Sequence, residues 1–415
     1  MTKVLKIAIR NLTRYRRRTL LTLLLITLGL TFVLLFVSVT GSFKKLMIGQ
    51  ITDSFLGDVQ IHRKGYVASI DNLPLHLNIK PEEAQKIRDL LDNTPDMVSY
   101  SERIKFGGMF SNFQQTSNIR VNGVFPEKEF ATCPLLPARM VQGKRAVSAL
   151  APGKILVPEL LARGLEIKIG DTVVVIATNR DGSVNGKTFE VSGILESVSG
   201  PGGRDGYIHI LDAMEILRLE KLEVSEFAVN VREFHRVNEL AADLWAKLSG
   251  MVNKQGKPRF EVHSWDRLSP FARVAQMIDL MTFFVKLMLI AIVLISILNV
   301  MIMAVYERVR EIGTIAAIGT KPGRIMSLFL MEGLVLGVSG SMMGTLLSVL
   351  TIWILNLSRI TFSFGRQVGL VLAPTISAGE VVTACLLVIV IAVVASLQPA
   401  YMASKMEPVE ALRHV

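Results

Sequence analysis

The chain has 415 residues, of which 50% are hydrophobic and 20% charged, with a mean hydropathy of +0.44 and a net charge of +11. That mixture excludes both a wholly embedded helix bundle and a wholly aqueous domain, and implies a few membrane spans plus a sizeable soluble part. The basic excess is partly membrane-side charge, and no basic face is interleaved with aromatics, which argues against nucleic acid as a partner.

Residues 1–18 read as an amphipathic cytoplasmic helix. Leu5, Ala8, Leu12 and Tyr15 fall on one face, and Lys3, Lys6, Arg10, Arg14 and Arg17 on another, so the helix lies in the interface with its bases toward lipid phosphates. Its plain role is a topogenic anchor. A sharper one is to support a surface that faces an ATPase. Residues 19–41 form the first span, and the basic run ending at Arg16, Arg17 and Arg18, with no acidic residue in it, places that end inside. The apolar run is longer than a signal-peptide core and no A-x-A-like site follows at Gly41-Ser42-Phe43, so a retained span is expected.

Residues 42–270 have ordinary globular composition and are placed outside. Strand patterns at 59–62 and 98–106 flank a helix at 81–91, which opens on Pro81 and carries early acids. Strands at 227–231 and 260–263 flank a second helix at 237–248. The two halves suit a split, ferredoxin-like βαβ arrangement. Between them, residues 107–224 are a strand-rich insertion, with strands at 119–124, 172–177, 189–195 and 207–210 and short helices at 158–163 and 212–219. Two external lobes are expected.

Catalytic motifs fail in this region. Residues 182–188, GSVNGKT, fall one short of a phosphate loop, and Asp181-Gly182 and Asn185-Gly186 are turn signals, so a hairpin is expected. Gly200-Pro201-Gly202-Gly203 is a loop without dinucleotide spacing. The six histidines are scattered, with no paired metal spacing and no nucleophile elbow. Cys133 is external and Cys385 lies in a span, so they do not bridge. A non-catalytic chain without cofactor or metal is expected.

Residues 271–306 are a stalk that continues into the second span, and one helix of that length would reach about 55 Å. Lys286 then sits near the outer interface, where its stem can snorkel. Met281 and Phe284 on this helix, with Phe43 and Met47 after the first span, are candidate substrate contacts, because methionine adapts to variable apolar surfaces such as acyl chains. Ordinary packing is the plainer use of the same residues.

Residues 307–324 are a charged island between two uncharged apolar stretches. The residues singled out for gripping a soluble partner are Glu307, Arg308, Arg310, Glu311, Gly313, Gly319, Lys321 and Pro322. Glu307 and Glu311 are four apart, which places them on one helix face. Residues 325–357 form the third span. Its Gly333, Gly337, Gly340 and Gly344 make one small-residue stripe for close helix packing. Glu332 is expected near the inner interface. Residues 358–380 form an outer loop, 381–398 the fourth span and 399–415 a cytoplasmic tail with Lys405 and Arg413. Both termini are therefore expected inside.

Three segments carry a family resemblance. Ile9-Arg10-Asn11-Leu12 through Arg18-Thr19-Leu20-Leu21 resembles an RNL…RRRTLLT entry. Glu307-Arg308-Val309-Arg310-Glu311-Ile312-Gly313, then Ala317-Ile318-Gly319-Thr320 and Phe329-Leu330-Met331-Glu332-Gly333, resembles the ER-x-REIG…A-x-G…FL-x-E signature. Pro399-Ala400, Ala403-Ser404-Lys405 and Pro408-Val409-Glu410-Ala411-Leu412-Arg413 resemble a PA…A…PVEALR ending. Together they resemble the permease subunits of the MacB, FtsX and LolC/LolE superfamily of ABC transporters. The resemblance implies an α-helical membrane protein with four transmembrane helices plus an α+β periplasmic domain. It implies dimeric permeases, as homo- or heterodimers in the inner membrane, and a residue 307–324 loop that docks on a cytoplasmic ABC ATPase. ATP and Mg would sit on that ATPase, expected as a separate polypeptide because this chain has no phosphate loop. The organisation is most like LolC or LolE, which implies lipoprotein release. MacB-like efflux with a periplasmic adaptor and FtsX-like activation of a periplasmic hydrolase are the alternatives.

Overall fold

The computed structural model describes residues 2–196, 201–364 and 367–407. Gly200 and the motif at 408–413 lie outside the described residues. The chain divides into two units. One comprises Met1–Lys45, Gln276–Phe362 and Gly369–Val415, and the other Leu46–Ala275 and Ser363–Val368.

The first unit is helical. It holds α1 (Thr2–Arg14) and most of α2 (Arg16–Ile51). After the second unit come α9 (Phe271–Glu307), α10 (Val309–Ala317), α11 (Pro322–Leu357) and α12 (Ala378–Ser404). Among the described residues four helices, α2, α9, α11 and α12, are long and apolar enough to cross a membrane. The α12 start is a capping box, in which Ser377 Oγ accepts from the Glu380 N–H at 3.2 Å and Glu380 Oε2 accepts from the Ser377 N–H at 3.2 Å. The expected outer loop at 358–380 also contains two paired strands, β11 (Thr361–Phe364) and β12 (Gln367–Val371).

The glycine stripe of α11 has two neighbours. A Cβ on Gly333 would overlap the Ser396 side chain, and one on Gly337 would lie 2.8 Å from Ala392 Cβ, so this half packs on α12. A Cβ on Gly340 would lie 2.5 Å from Ile26 Cγ2, and one on Gly344 3.0 Å from Leu30 Cβ, so the other half packs on α2. Four glycines on one ridge thus seat two different helices at near-backbone contact.

The second unit is built on a ten-stranded sheet. Its elements in chain order are β1 (Val59–Arg63), α3 (Pro81–Asp92), β2 (Met97–Ser111), β3 (Thr116–Val124), α4 (Pro126–Thr132), β4 (Met140–Gly143), β5 (Lys154–Pro158) and α5 (Glu159–Gly164). Then follow β6 (Thr172–Thr178), β7 (Val184–Leu195), β8 (Asp205–His209), α6 (Ile210–Ile216), β9 (Glu226–Val231), α7 (Val237–Ser249), β10 (Phe260–Ser264) and α8 (Trp265–Leu268). The strand order at one edge is β10-β1-β9-β2, antiparallel throughout, which is the ferredoxin-like order. Helices α3 and α7 bury Ile87, Leu91, Leu240 and Leu244 in its core. The insertion has its own core, which includes Phe106, Phe110, Val175 and Phe189.

The two expected lobes share one sheet. Strand β2 runs 15 residues without a break, pairing with β9 through its first half and with β3 and β6 through its second. The alternation of the 98–106 pattern gave no sign of this, because Gly107 and Gly108 interrupt it. Gly108 needs its missing side chain: a Cβ there would lie 2.7 Å from the Ile176 carbonyl oxygen. The phosphate-loop look-alike is the β6–β7 hairpin, with Gly182 at φ 85° and the Asn179 N–H donating to the Ser183 carbonyl at 2.8 Å.

A buried ionic cluster centres on Arg103 of β2. Its guanidinium donates to both oxygens of Glu129 at 2.9 and 2.7 Å and to Glu226 at 3.0 Å. Lys105 lies 2.8 Å from Glu226, and His62 3.4 Å. Burial alone would raise the Glu226 carboxyl, but Lys105, His62 and Arg103 together hold it well below the usual carboxylate range. Burial pushes the neighbouring Cys133 thiol up to about 12.

Candidate coupling site

The charged island is not a loop. Helix α9 ends at Glu307, Arg308 leaves helical geometry at φ −111° and ψ 17°, and α10 begins at Val309. Glu307 and Glu311 therefore stand on two helices and do not share one face, which corrects the four-residue spacing argument. Each meets an arginine from the start of the chain. Arg18 pairs with Glu307 at 3.2 Å and also donates to the Val300 carbonyl, and Arg14 pairs with Glu311 at 3.1 Å. The basic N-terminal segment thus engages the acids of the island, beyond the plain anchor role.

Arg308 points inward. Its side chain is buried, donates to Glu332 Oε1 at 2.8 Å, and stacks over the Tyr15 ring at 4.6 Å from the centroid. Asn11 Nδ2 donates to the same Glu332 oxygen at 2.8 Å. Glu332 is only 2% exposed and lies at a junction of three helical elements, α1, the α9–α10 break and α11. A carboxylate buried this deeply requires a cation and a donor, and Arg308 and Asn11 supply them.

The other end of α10 is closed by its glycine. Gly319, at φ 91°, donates to the Ala316 carbonyl at 2.9 Å, and Thr320 donates to the Ile315 carbonyl at 3.3 Å. These two bonds are a Schellman stop. Lys321 is the N-cap of α11 and Pro322 its first residue, where a missing N–H costs nothing. Gly319 and Pro322 therefore shape the corner. Gly313 is buried under α10 beside Ile312, while Arg310, Lys321 and Pro322 are exposed.

The corner leaves apolar side chains outside. Ile318 is 81% exposed and Ile315 41%. Sequence reasoning missed both, because it looked for charge. The available signal was that α10 needs only Ile312 and Gly313 for its buried face, so its remaining isoleucines have no inward place.

The candidate substrate contacts separate. Met281 and Phe284 are exposed on α9 and Phe43 is half-buried on α2. Met47 is buried in the core with Val59, Phe227 and Trp265, which removes it from any surface that an acyl chain reaches.

Residues 19–247 match the MacB-like periplasmic core domain, and residues 283–408 the FtsX-like permease C-terminal domain. The chain is 23% identical over 410 residues to the lipoprotein-releasing system transmembrane protein LolC of Neisseria meningitidis serogroup B, covering 94% of this chain and 92% of that one. It is 28% identical over 236 residues to the macrolide export ATP-binding/permease protein MacB of Nitrobacter winogradskyi, covering 55% of this chain and 34% of that one. Among solved structures, the periplasmic region of MacB from Actinobacillus actinomycetemcomitans aligns with a TM-score of 0.37 at 12% identity, over 54% of this chain and 94% of that one.

Proposed function

Because this chain belongs to the ABC-transporter permeases of the LolC/MacB/FtsX type, with a MacB-like periplasmic core and an FtsX-like permease domain, we propose that α10 is where it receives the work of ATP hydrolysis. The observation that carries this reading is a contrast within the eleven residues from Arg308 to Ile318. One side of α10 is fixed by the buried Arg308–Glu332–Asn11 junction, while Ile315 and Ile318 stand in solvent. A rigidly seated helix with an uncovered apolar tip suits a hydrophobic groove on a soluble partner. Arg310 and Lys321 add a polar rim. The partner is the ATPase of the transporter, with ATP and Mg bound there, and the chain itself performs no chemistry. The membrane is the bacterial inner membrane, with both termini inside and the sheet domain in the periplasm.

The work delivered is release of lipoproteins from that membrane. The alignment with LolC runs along nearly the whole of both chains, whereas that with MacB covers about a third of the MacB chain. Exposed Met281 and Phe284 on α9 offer apolar surface for acyl chains. The test has two arms. Ile318→Asp should abolish co-purification of the ATPase with no change in thermal unfolding, and unchanged binding would overturn the docking reading. Photocrosslinkers at Met281 and Phe284 should capture lipoprotein acyl chains, with Met47 silent. Capture of bulk phospholipid only, irrespective of ATP, would overturn lipoprotein release.

A further inference from the structure

Residues 46–275 are electrically balanced. They hold 28 Lys and Arg against 28 Asp and Glu, so the chain's excess of +11 lies outside them. One cleft in the sheet domain breaks that balance. It has a volume of about 490 Å³ and is lined by Arg63, Lys64, Lys80, Lys254, Lys257 and Arg259, with Glu83 as its acid.

The fold brings these cations together from three places. Strand β1 ends at Arg63, which stands opposite Phe260 at the start of β10, and the Lys64 N–H donates to the Arg259 carbonyl at 2.8 Å. Lys80 is the N-cap of α3. Lys254 and Lys257 ride a turn closed by the Val252–Pro258 bridge. That turn is preformed. The Asn253 N–H donates to the Lys257 carbonyl at 2.8 Å, and Asn253 Oδ1 accepts from the Gln255 and Lys257 N–H groups at 2.9 and 3.0 Å. Gly256, at φ 74°, completes it.

The two arginines are committed to the walls. Arg259 pairs with Glu83 at 2.6 Å and its Nε donates to the Val252 carbonyl at 2.8 Å, while Arg63 donates to the Asn78 carbonyl at 3.4 Å. The first of these pairs consumes the carboxylate of the cleft. The four lysines are exposed and have no acidic partner among the described residues. Like charges gathered in one small space repel, and a balanced domain has acids enough to separate them. An anion in the cleft would remove that repulsion and meet several ammonium groups at once. The charge must also be dense. A carboxylate brings one negative charge, whereas a phosphate group brings close to two with three acceptor oxygens. Lysine binds phosphate as a point charge, without the planar fork that favours arginine for carboxylates.

We propose that this cleft is a binding site for a compact, multiply phosphorylated anion. A soluble polyphosphate and a lipid headgroup with two phosphates offer the same chemistry. The test uses the full chain in nanodiscs of zwitterionic phosphatidylcholine, titrated calorimetrically with tripolyphosphate. The unaltered chain should bind, and more weakly as salt is raised. Lys254→Gln with Lys257→Gln should weaken binding about tenfold or more, the loss expected for charged hydrogen bonds, with no change in melting temperature. Lys144→Gln with Lys168→Gln removes the same charge from exposed positions of the insertion and should bind as the unaltered chain does. Equal weakening in both double variants would reduce the effect to net charge and overturn the site. Absence of binding by the unaltered chain would overturn it too, and citrate binding as tightly as tripolyphosphate would overturn the assignment to phosphate. Competition reads the source. Displacement by cardiolipin vesicles assigns a lipid headgroup, and binding that persists beside them assigns a soluble anion.

Discussion

Arg308 and Glu332 are 24 positions apart in sequence and meet at 2.8 Å, their side chains 6% and 2% exposed. This pair fixes where α10 begins. Removing either partner strands a buried charge, which typically costs about 3–5 kcal/mol. Glu332→Ala should therefore lower the unfolding temperature and lose the ATPase together. Glu332→Gln keeps an acceptor for Arg308 and should be milder in both. Equal behaviour of the two variants, measured by thermal unfolding and co-purification, would show that the charge is not what matters.

The exposed pairs Arg14–Glu311 and Arg18–Glu307 should act differently. Exposed ion pairs are worth roughly 0–1 kcal/mol, so Glu311→Lys should barely move stability. It should still impair ATP-stimulated activity by unseating α1 from α10. The double exchange Arg14→Glu with Glu311→Lys should recover that activity. An unrecovered double variant would mean that Glu311 contacts the ATPase directly.

Gly340→Leu should drive a side chain into Ile26, and Gly337→Leu one into Ala392, each costing about 1–3 kcal/mol by overpacking. Gly41→Ala, where nothing lies within 4 Å, should be silent. Melting curves of the three variants decide, and a wild-type melt for Gly340→Leu would place the stripe against lipid.

Asp58 gives the domain a pH signature. Burial raises its carboxyl to about 6 from an ordinary 3.8, despite the bond it accepts from the Val231 N–H at 2.8 Å. A raised carboxyl stabilises the fold at low pH and loses that contribution as pH climbs through 6. The shift amounts to roughly 3 kcal/mol at most. Buried His62 is shifted down by desolvation, so its contribution carries the opposite sign. The readout is therefore the difference between wild type and Asp58→Asn. The variant should gain relative stability from pH 5 to pH 7, and a constant difference would show that Asp58 does not titrate there.

Much of this protein was legible without coordinates. The four spans are runs of apolar residues longer than any soluble helix needs, and burial in lipid depends on composition rather than on partners. The ferredoxin-like half was legible because Pro81, its acids and the alternating strands are local signals that agree with the fold they build. Asn11, Arg308 and Glu332 all stood inside the family motifs. Nothing local says that they meet, since their contact joins residues 24 and 321 positions apart. The same holds for Met47, whose apolar chemistry suits a surface or a core equally. It holds too for Arg103, which reaches the Phe55 carbonyl 48 positions away. Sequence determined the elements, because helix and strand are set by near neighbours and by the solvent each side chain prefers. Tertiary structure alone decided which charges are structural and which residues remain free to bind, because a buried ion is tolerated only where distant partners converge on it.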